Sequence, residues 1–227
     1  MKPALIRQHV DSAPPALLAE WLEERGIAFA ISRTWLHEPL PDPREYRFVV
    51  SLGHDAGAHE THLPAVAAEI ELLRGAVAAD VPVLGLCFGG QALAAALGAT
   101  TGRAPTSELG WREVTTDDPA LVPAGPWLEW HYDRFTTPAG ATEIARTKDA
   151  PQAFRLGPHL GVQFHPEATV EIVTEWAHMD GEPDHAPTAT AEEQDAARAA
   201  AFRLFDAFLA QADEHTSAGV RPAAARP

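Results

Sequence analysis

Cysteine occurs once in the 227 residues, at Cys87. A lone cysteine cannot close an internal disulfide, so the fold cannot rely on the cross-links that small secreted domains use. Basic residues are scarce as well: 17 Lys and Arg stand against 32 Asp and Glu, a formal charge of −15. The arginines are scattered rather than gathered in a stripe, which argues against nucleic acid as a direct ligand and for a small metabolite or a protein partner. Long apolar runs are missing too, and none approaches the roughly 20 residues that a membrane helix needs. The opening MKPALIRQHVDSAPP holds too short an apolar stretch, interrupted too soon by charge, to read as a signal peptide. A cytoplasmic protein without membrane contact is the expectation. No internal repeat is present, and no lysine follows the glycines near Cys87 as it would in a phosphate-binding loop.

The material that is there suits one α/β domain, since 46% of the residues are hydrophobic and the length allows a full core. ALIRQHV reads as a first strand, PPALLAEWLEERG as a helix closed by Gly26, IAFAIS as a second strand and YRFVVSL as a third. Leu63, Val66, Ile70, Leu73 and Val77 then recur at helical spacing with Glu69, Glu71 and Arg74 off the stripe, and VPVLGL follows as a strand. Alternating strands and helices predict an open, mostly parallel sheet covered on both faces, with ligands at the carboxyl ends of its strands. Between 109 and 164, WREVTT, LEWHY, TEIAR, AFRLG and LGVQF read as shorter strands, some antiparallel. A loop rich in Pro, Asp and His leads into a helix from about 191 to 210, with Thr190 and Glu193 at capping-box spacing. Residues 1–210 are expected to form the single domain, and 211–227 a disordered tail.

Cys87 sits where the fourth strand ends. Strand, Gly85-Leu86-Cys87-Phe88-Gly89, helix is the pattern of a nucleophile elbow, in which a tight turn exposes one side chain above the sheet and small neighbours relieve crowding. A helix N-terminus also favours a thiolate. A buried core cysteine is the plain alternative. GVQFHPEAT supplies what a thiol nucleophile needs: His165 as a base that turns acid, and Glu167 to orient its ring, with Pro166 between them fixing a non-helical backbone. A lone histidine at a strand end is more often structural, so the pairing of the two segments carries the inference. His54, His59 and His62 fit no standard zinc spacing, and no metal is assigned. Trp111, Trp127 and Trp130 fit a buried core as well as a stacked ligand.

Gly-Leu-Cys-Phe-Gly-Gly-Gln at 85–91, followed by Gln-Phe-His-Pro-Glu at 163–167, resembles the class I glutamine amidotransferases, and SELGW at 107–111 and WHYDRF at 130–135 resemble segments of their stand-alone, GMP-synthase-like members. The likeness is good from about Arg47 to Glu167, and no motif matches after Ala168, which leaves 168–210 unassigned. It implies a three-layer, flavodoxin-like fold and a Cys87, His165, Glu167 triad that hydrolyses L-glutamine to glutamate and ammonia, with no cofactor. It also implies an oxyanion hole from the backbone N–H groups of Gly53 and Phe88, and an amino-acid site from Gln91, the backbone at Gly110 and Trp111, and Asp133. A separate ATP-dependent synthetase or ligase is the partner this implies. A stand-alone γ-glutamyl amide hydrolase and a non-catalytic regulatory module on the same fold are the alternatives. One departure stands out: where the family's oxyanion loop has paired glycines and then proline, this chain has Leu52, Gly53 and His54. A positive φ at residue 52 would strain leucine and leave the loop poorly formed until a partner binds.

Overall fold

A computed structural model describes residues 2–36 and 38–219. In chain order these form β1 (Ala4–Gln8), α1 (Ala16–Glu24), β2 (Phe29–Arg33), β3 (Val49–Ser51), α2 (Pro64–Ala78), β4 (Val83–Leu86), α3 (Phe88–Ala96), β5 (Thr101–Arg112), β6 (Thr115–Thr116), β7 (Trp127–Phe135), β8 (Thr142–Arg146), β9 (Pro151–Leu156), β10 (His159–Val162), α4 (Val170–Met179) and α5 (Ala191–Gly219). Eight strands make one sheet in the order β2-β1-β3-β4-β10-β9-β8-β6, while β5 and β7 pair as a separate antiparallel ribbon. The first five run parallel and the last three joins are antiparallel.

Side chains alternate across the sheet, as the period of a strand requires. Ala4 and Ile6 of β1 face a layer that includes Leu18, Trp21 and Leu22 of α1 and Phe205 and Phe208 of α5. Leu5 faces the opposite layer, with Val66, Ile70 and Leu73 of α2 and Leu93 of α3. A third apolar cluster joins Leu128 and Trp130 of β7 to Val173 and Trp176 of α4. The architecture is therefore the mixed α/β, mostly parallel arrangement that the sequence predicts. β1 lies between β2 and β3, so the connections diverge there, and ligands of such sheets bind at the carboxyl ends beside that divergence.

Three expectations need correction. The last helix runs to Gly219 rather than ending near Ala210, because Phe208 and Ala212 are buried and Arg47 forms a bidentate pair with Asp213 at 2.7 Å. The remainder of the expected tail, 220–227, lies outside the described residues. Glu69 belongs to the buried face of α2, three residues after Val66 and four before Leu73, and is fully buried. Leu52 is a core residue, and it is not among the residues with positive φ. Its N–H donates to the Arg7 carbonyl at 3.1 Å, and its own carbonyl accepts from Gly89 N–H at 3.1 Å. The loop after β3 is thus tied to both β1 and α3 with leucine in place and unstrained.

Candidate active site

The carboxyl ends of three adjacent parallel strands converge on one spot. β3 delivers the Leu52–His54 loop, β4 delivers Cys87, and β10 leads through Gln163 to His165 and Glu167. Cys87 occupies φ 51°, ψ −109°, a conformation that L residues avoid, immediately before the first residue of α3. The next two glycines permit it. A Cβ at Gly89 would strike the Ser51 carbonyl, and one at Gly90 would strike the Val162 carbonyl, so only glycine lets α3 start flush against β3 and β10. The Cys87 N–H donates to the Val162 carbonyl at 3.0 Å, which clamps the turn.

His165 and Glu167 are buried, and the ring Nδ1 lies 2.8 Å from Glu167 Oε1. Nδ1 therefore carries the hydrogen, and Nε2, buried without a hydrogen-bond partner, is turned to the cavity it shares with Cys87. Trp176 packs on the ring at 4.7 Å between centroids. Burial opposes a charge on His165, but a Cys87 thiolate and Glu167 together outweigh it and hold the imidazole well above its ordinary titration range. Gly53 stands against this ring, since a Cβ there would lie 3.3 Å from His165 Cε1. Among the described residues, the N–H groups of Gly53 and Phe88 donate to no backbone carbonyl.

Two cavities meet at Cys87. One of about 70 Å³ is lined by Gly53, His165, Ala13 and Trp176. The other, of about 390 Å³, is lined by Phe88, Gln91, Arg103, His131, Tyr132 and Asp133, within the range of small-molecule sites. The structure thus brings Cys87, His165, Glu167, Gly53, Phe88, Gln91 and Asp133 together. It does not bring Gly110 and Trp111 to either cavity. β5 pairs Gly110 with Glu129 and Trp111 with Leu128, and the Trp111 indole N–H donates to the Thr188 carbonyl at 3.1 Å, beside the start of α5. Trp127 is buried and stacks on Phe164, while the Trp130 indole donates to Asp180 at 2.8 Å.

Two polar clusters beneath the site escaped the sequence reading. In the first, Arg7 pairs with Glu69 at 2.9 Å, Ser51 Oγ donates to Glu69 at 2.8 Å, and His9 reaches Ser51 at 3.1 Å. Burial is the largest influence on Glu69 and works against its charge, but His9, Arg7 and Ser51 outweigh it and hold the carboxyl below its usual range. Burial pushes His9 itself down to about 4. This network anchors the end of β3, one residue before the Leu52–His54 loop. In the second, His131 Nε2 lies 3.2 Å from Glu129 and 3.5 Å from Glu108, all three buried. Burial opposes the imidazolium, yet the two carboxylates push His131 up to about 10. Gln163 is the third omission. Its signal was the spacing, because residues two apart on an extended chain share a face and Gln163 precedes His165 by two.

The profile of the class-I glutamine amidotransferases matches residues 52–173, more than half of the chain. A glutamine amidotransferase-like protein of Salmonella typhimurium, YfeJ, is 31% identical over 184 residues, which cover 74% of this chain and 76% of that protein. A GMP synthase (glutamine-hydrolyzing) of Aeropyrum pernix is 33% identical over 185 residues, 74% of this chain but only 34% of the synthase, so the chain corresponds to about a third of that relative. In structure, a glutamine amido transferase from Methylobacillus flagellatus superimposes with a TM-score of 0.82 at 27% identity, covering 93% of this chain and 95% of the other. A glutamine amidotransferase from Thermotoga maritima gives 0.80 at 25% identity, covering 92% and 98%. The similarity thus spans the segments that hold Cys87, His165 and Glu167 as well as the sheet that positions them, and the chain belongs to the class I glutamine amidotransferase family.

Proposed function

We propose that the protein hydrolyses L-glutamine to glutamate and ammonia through a γ-glutamyl thioester on Cys87, and passes the ammonia to a separate ATP-dependent synthetase. The observation that carries this reading is the strained Cys87 at the head of α3, sharing a cavity with a His165 whose free Nε2 is oriented by Glu167 at 2.8 Å. The thiolate attacks the side-chain carbonyl carbon of glutamine, and the Gly53 and Phe88 N–H groups receive the oxyanion. His165 gives its Nε2 proton to the departing nitrogen, so ammonia leaves as the carbonyl re-forms. Water then gives a proton to His165 and attacks the thioester; the carbon–sulfur bond breaks, the electron pair returns to sulfur, and glutamate is released.

The larger cavity suits the amino-acid end of the substrate. The Asp133 carboxylate and the Gln91 carboxamide oxygen are acceptors for an ammonium group there, and Arg103 offers a cation for a carboxylate. The GMP synthase relatives favour an ATP-consuming partner for the ammonia. The test is glutamate release by wild type and Cys87→Ala, together with mass spectrometry after a glutamine-like chloroketone. A single adduct on Cys87 and loss of turnover in Cys87→Ala are expected. Adducts elsewhere with full activity in the alanine variant would refute the mechanism. Turnover of γ-glutamyl amides at full speed without any partner would instead favour the stand-alone hydrolase.

A further inference from the structure

A hydrogen-bonded chain of side chains connects the floor of the larger cavity to the Cys87 sulfur, and its polarity is fixed by a backbone group. The Asp133 carbonyl can only accept. It takes one hydrogen bond from His131 Nδ1 at 2.9 Å and another from Gln91 at 3.1 Å, so the Gln91 group facing it is the amide nitrogen. The same nitrogen lies 3.3 Å from the Gln163 side chain, which must present its oxygen there. The opposite end of the Gln163 amide is therefore its nitrogen, and that nitrogen is 3.7 Å from Cys87 Sγ. Gln163 is fully buried.

We propose that Gln163 is a further catalytic residue of the glutamine-hydrolysing site, whose amide N–H donates to the Cys87 sulfur and stabilises it as the thiolate; this rests on Cys87 being the nucleophile. Gln163 thus donates to the sulfur from the strand side, beside the His165 ring. The Trp130 carbonyl, at 3.9 Å from the sulfur, can only accept, so it favours the protonated thiol. A hydrogen bond to a charged group shifts an equilibrium by about ten- to a hundredfold, and here the sulfur is charged at the start and at the end of each turnover. It is present before attack on the amide, and it returns when water displaces the thioester. Gln91 then has two duties: its nitrogen locks Gln163, and its oxygen is left for the substrate.

The experiment follows alkylation of Cys87 by iodoacetamide against pH, using the full chain as wild type, Gln163→Met and Gln163→Leu. The titratable and charged groups around the sulfur, His165, Glu167, His131, His54, Asp55, Asp133, Asp180, Tyr132 and Arg103, are the same in all three. Loss of the donor should slow alkylation at neutral pH at least about tenfold and move the midpoint of the rate profile up by about one pH unit or more, since one unit is a tenfold change. A second measurement needs no change at residue 163. In the ¹⁵N-labelled wild type, the Gln163 side-chain amide proton should shift with the same midpoint as alkylation, and it should stay still in Cys87→Ala. An unmoved midpoint in a folded Gln163 variant, even one with slower turnover, or an amide signal that ignores pH in the wild type, would overturn the assignment. A wild type not alkylated at Cys87 would overturn the nucleophile as well.

Discussion

The backbone of Cys87 gives a prediction whose sign alone is decisive. At φ 51°, ψ −109° the residue lies outside even the left-handed helical region that L residues visit, so the upper half of the usual range for strained backbones applies, about 2–3 kcal/mol. Cys87→Ala keeps that strain and Cys87→Gly removes it. Against the gain, glycine loses about 0.5–1 kcal/mol to its freer unfolded chain and about 0.8 kcal/mol for the buried methyl group. The glycine variant should therefore be more stable than the alanine variant by about 1 kcal/mol, or roughly 2–4 °C in Tm for a domain of this size. At an ordinary buried position the same comparison would make glycine worse, by about 1.5 kcal/mol. Urea unfolding of both variants, with equal m-values, is the assay, and calorimetry checks it. A glycine variant less stable than alanine would refute the idea that the fold stores strain at its nucleophile. Both variants should be inactive, since neither carries a thiol.

Leu52→Ala should cost about 2–5 kcal/mol by chemical denaturation, as for other fully buried leucines, and should lower glutaminase activity; a rise in activity would restore the picture of a leucine that obstructs the oxyanion loop. Glu69→Gln strips a buried Arg7 of its charge partner and should cost about 3–5 kcal/mol. Because the folded carboxyl of Glu69 is held low, its contribution is present above its unfolded pKa of about 4.3 and is lost as pH falls through the folded value. The variant's stability should accordingly depend less on acid pH than that of the wild type. His165 has the opposite sign: held high, it stabilises the fold fully below about pH 6.5 and ceases to do so as pH rises through its folded value. Cys87→Ala removes one of the two groups that favour its charge, so its ring signals in NMR should titrate at lower pH; an unchanged midpoint would separate His165 from the sulfur.

The parallel half of the sheet was readable because each strand is a short apolar run flanked by a helix with a 3.6-residue stripe, and both patterns are local. Cys87 and His165 with Glu167 were readable for a similar reason, since each lies just past a strand end with its neighbours in sequence. What escaped depends on distant partners. Glu69 looked solvated because its partner Arg7 is 62 residues away, on β1. β5 begins at Thr101, ten residues before WREVTT, the run that alternation suggested. Its first half, with Pro105 and mostly exposed side chains, is a strand only because β7 pairs with it around a bulge between Arg103 and Glu108. Leu52 was misjudged because a family pattern of glycines implied a backbone conformation that this loop does not adopt. Gly110 and Trp111 were placed by resemblance alone, and the register of β5 on β7 carries Gly110 to the His185 carbonyl and Trp111 to the start of α5.

The position of α5 also bears on the order in which the molecule can be assembled. Its Phe205 and Phe208 cover the same layer as α1, and Asp206 accepts from the Trp21 indole across 185 residues of chain. On a ribosome, β1, α1 and β3 emerge early, but one side of that sheet has only α1 for cover until the codons for residues 201–212 have been read. Trp21 and Phe48 lack their Phe205 and Phe208 neighbours for that interval, and incompletely covered apolar surfaces are where nascent chains aggregate or recruit chaperones. The opposite layer, built on α2 and α3, can close much sooner. Synthesis therefore supplies one face of the sheet well before the other, and the elbow at Cys87 is formed against a half-finished core.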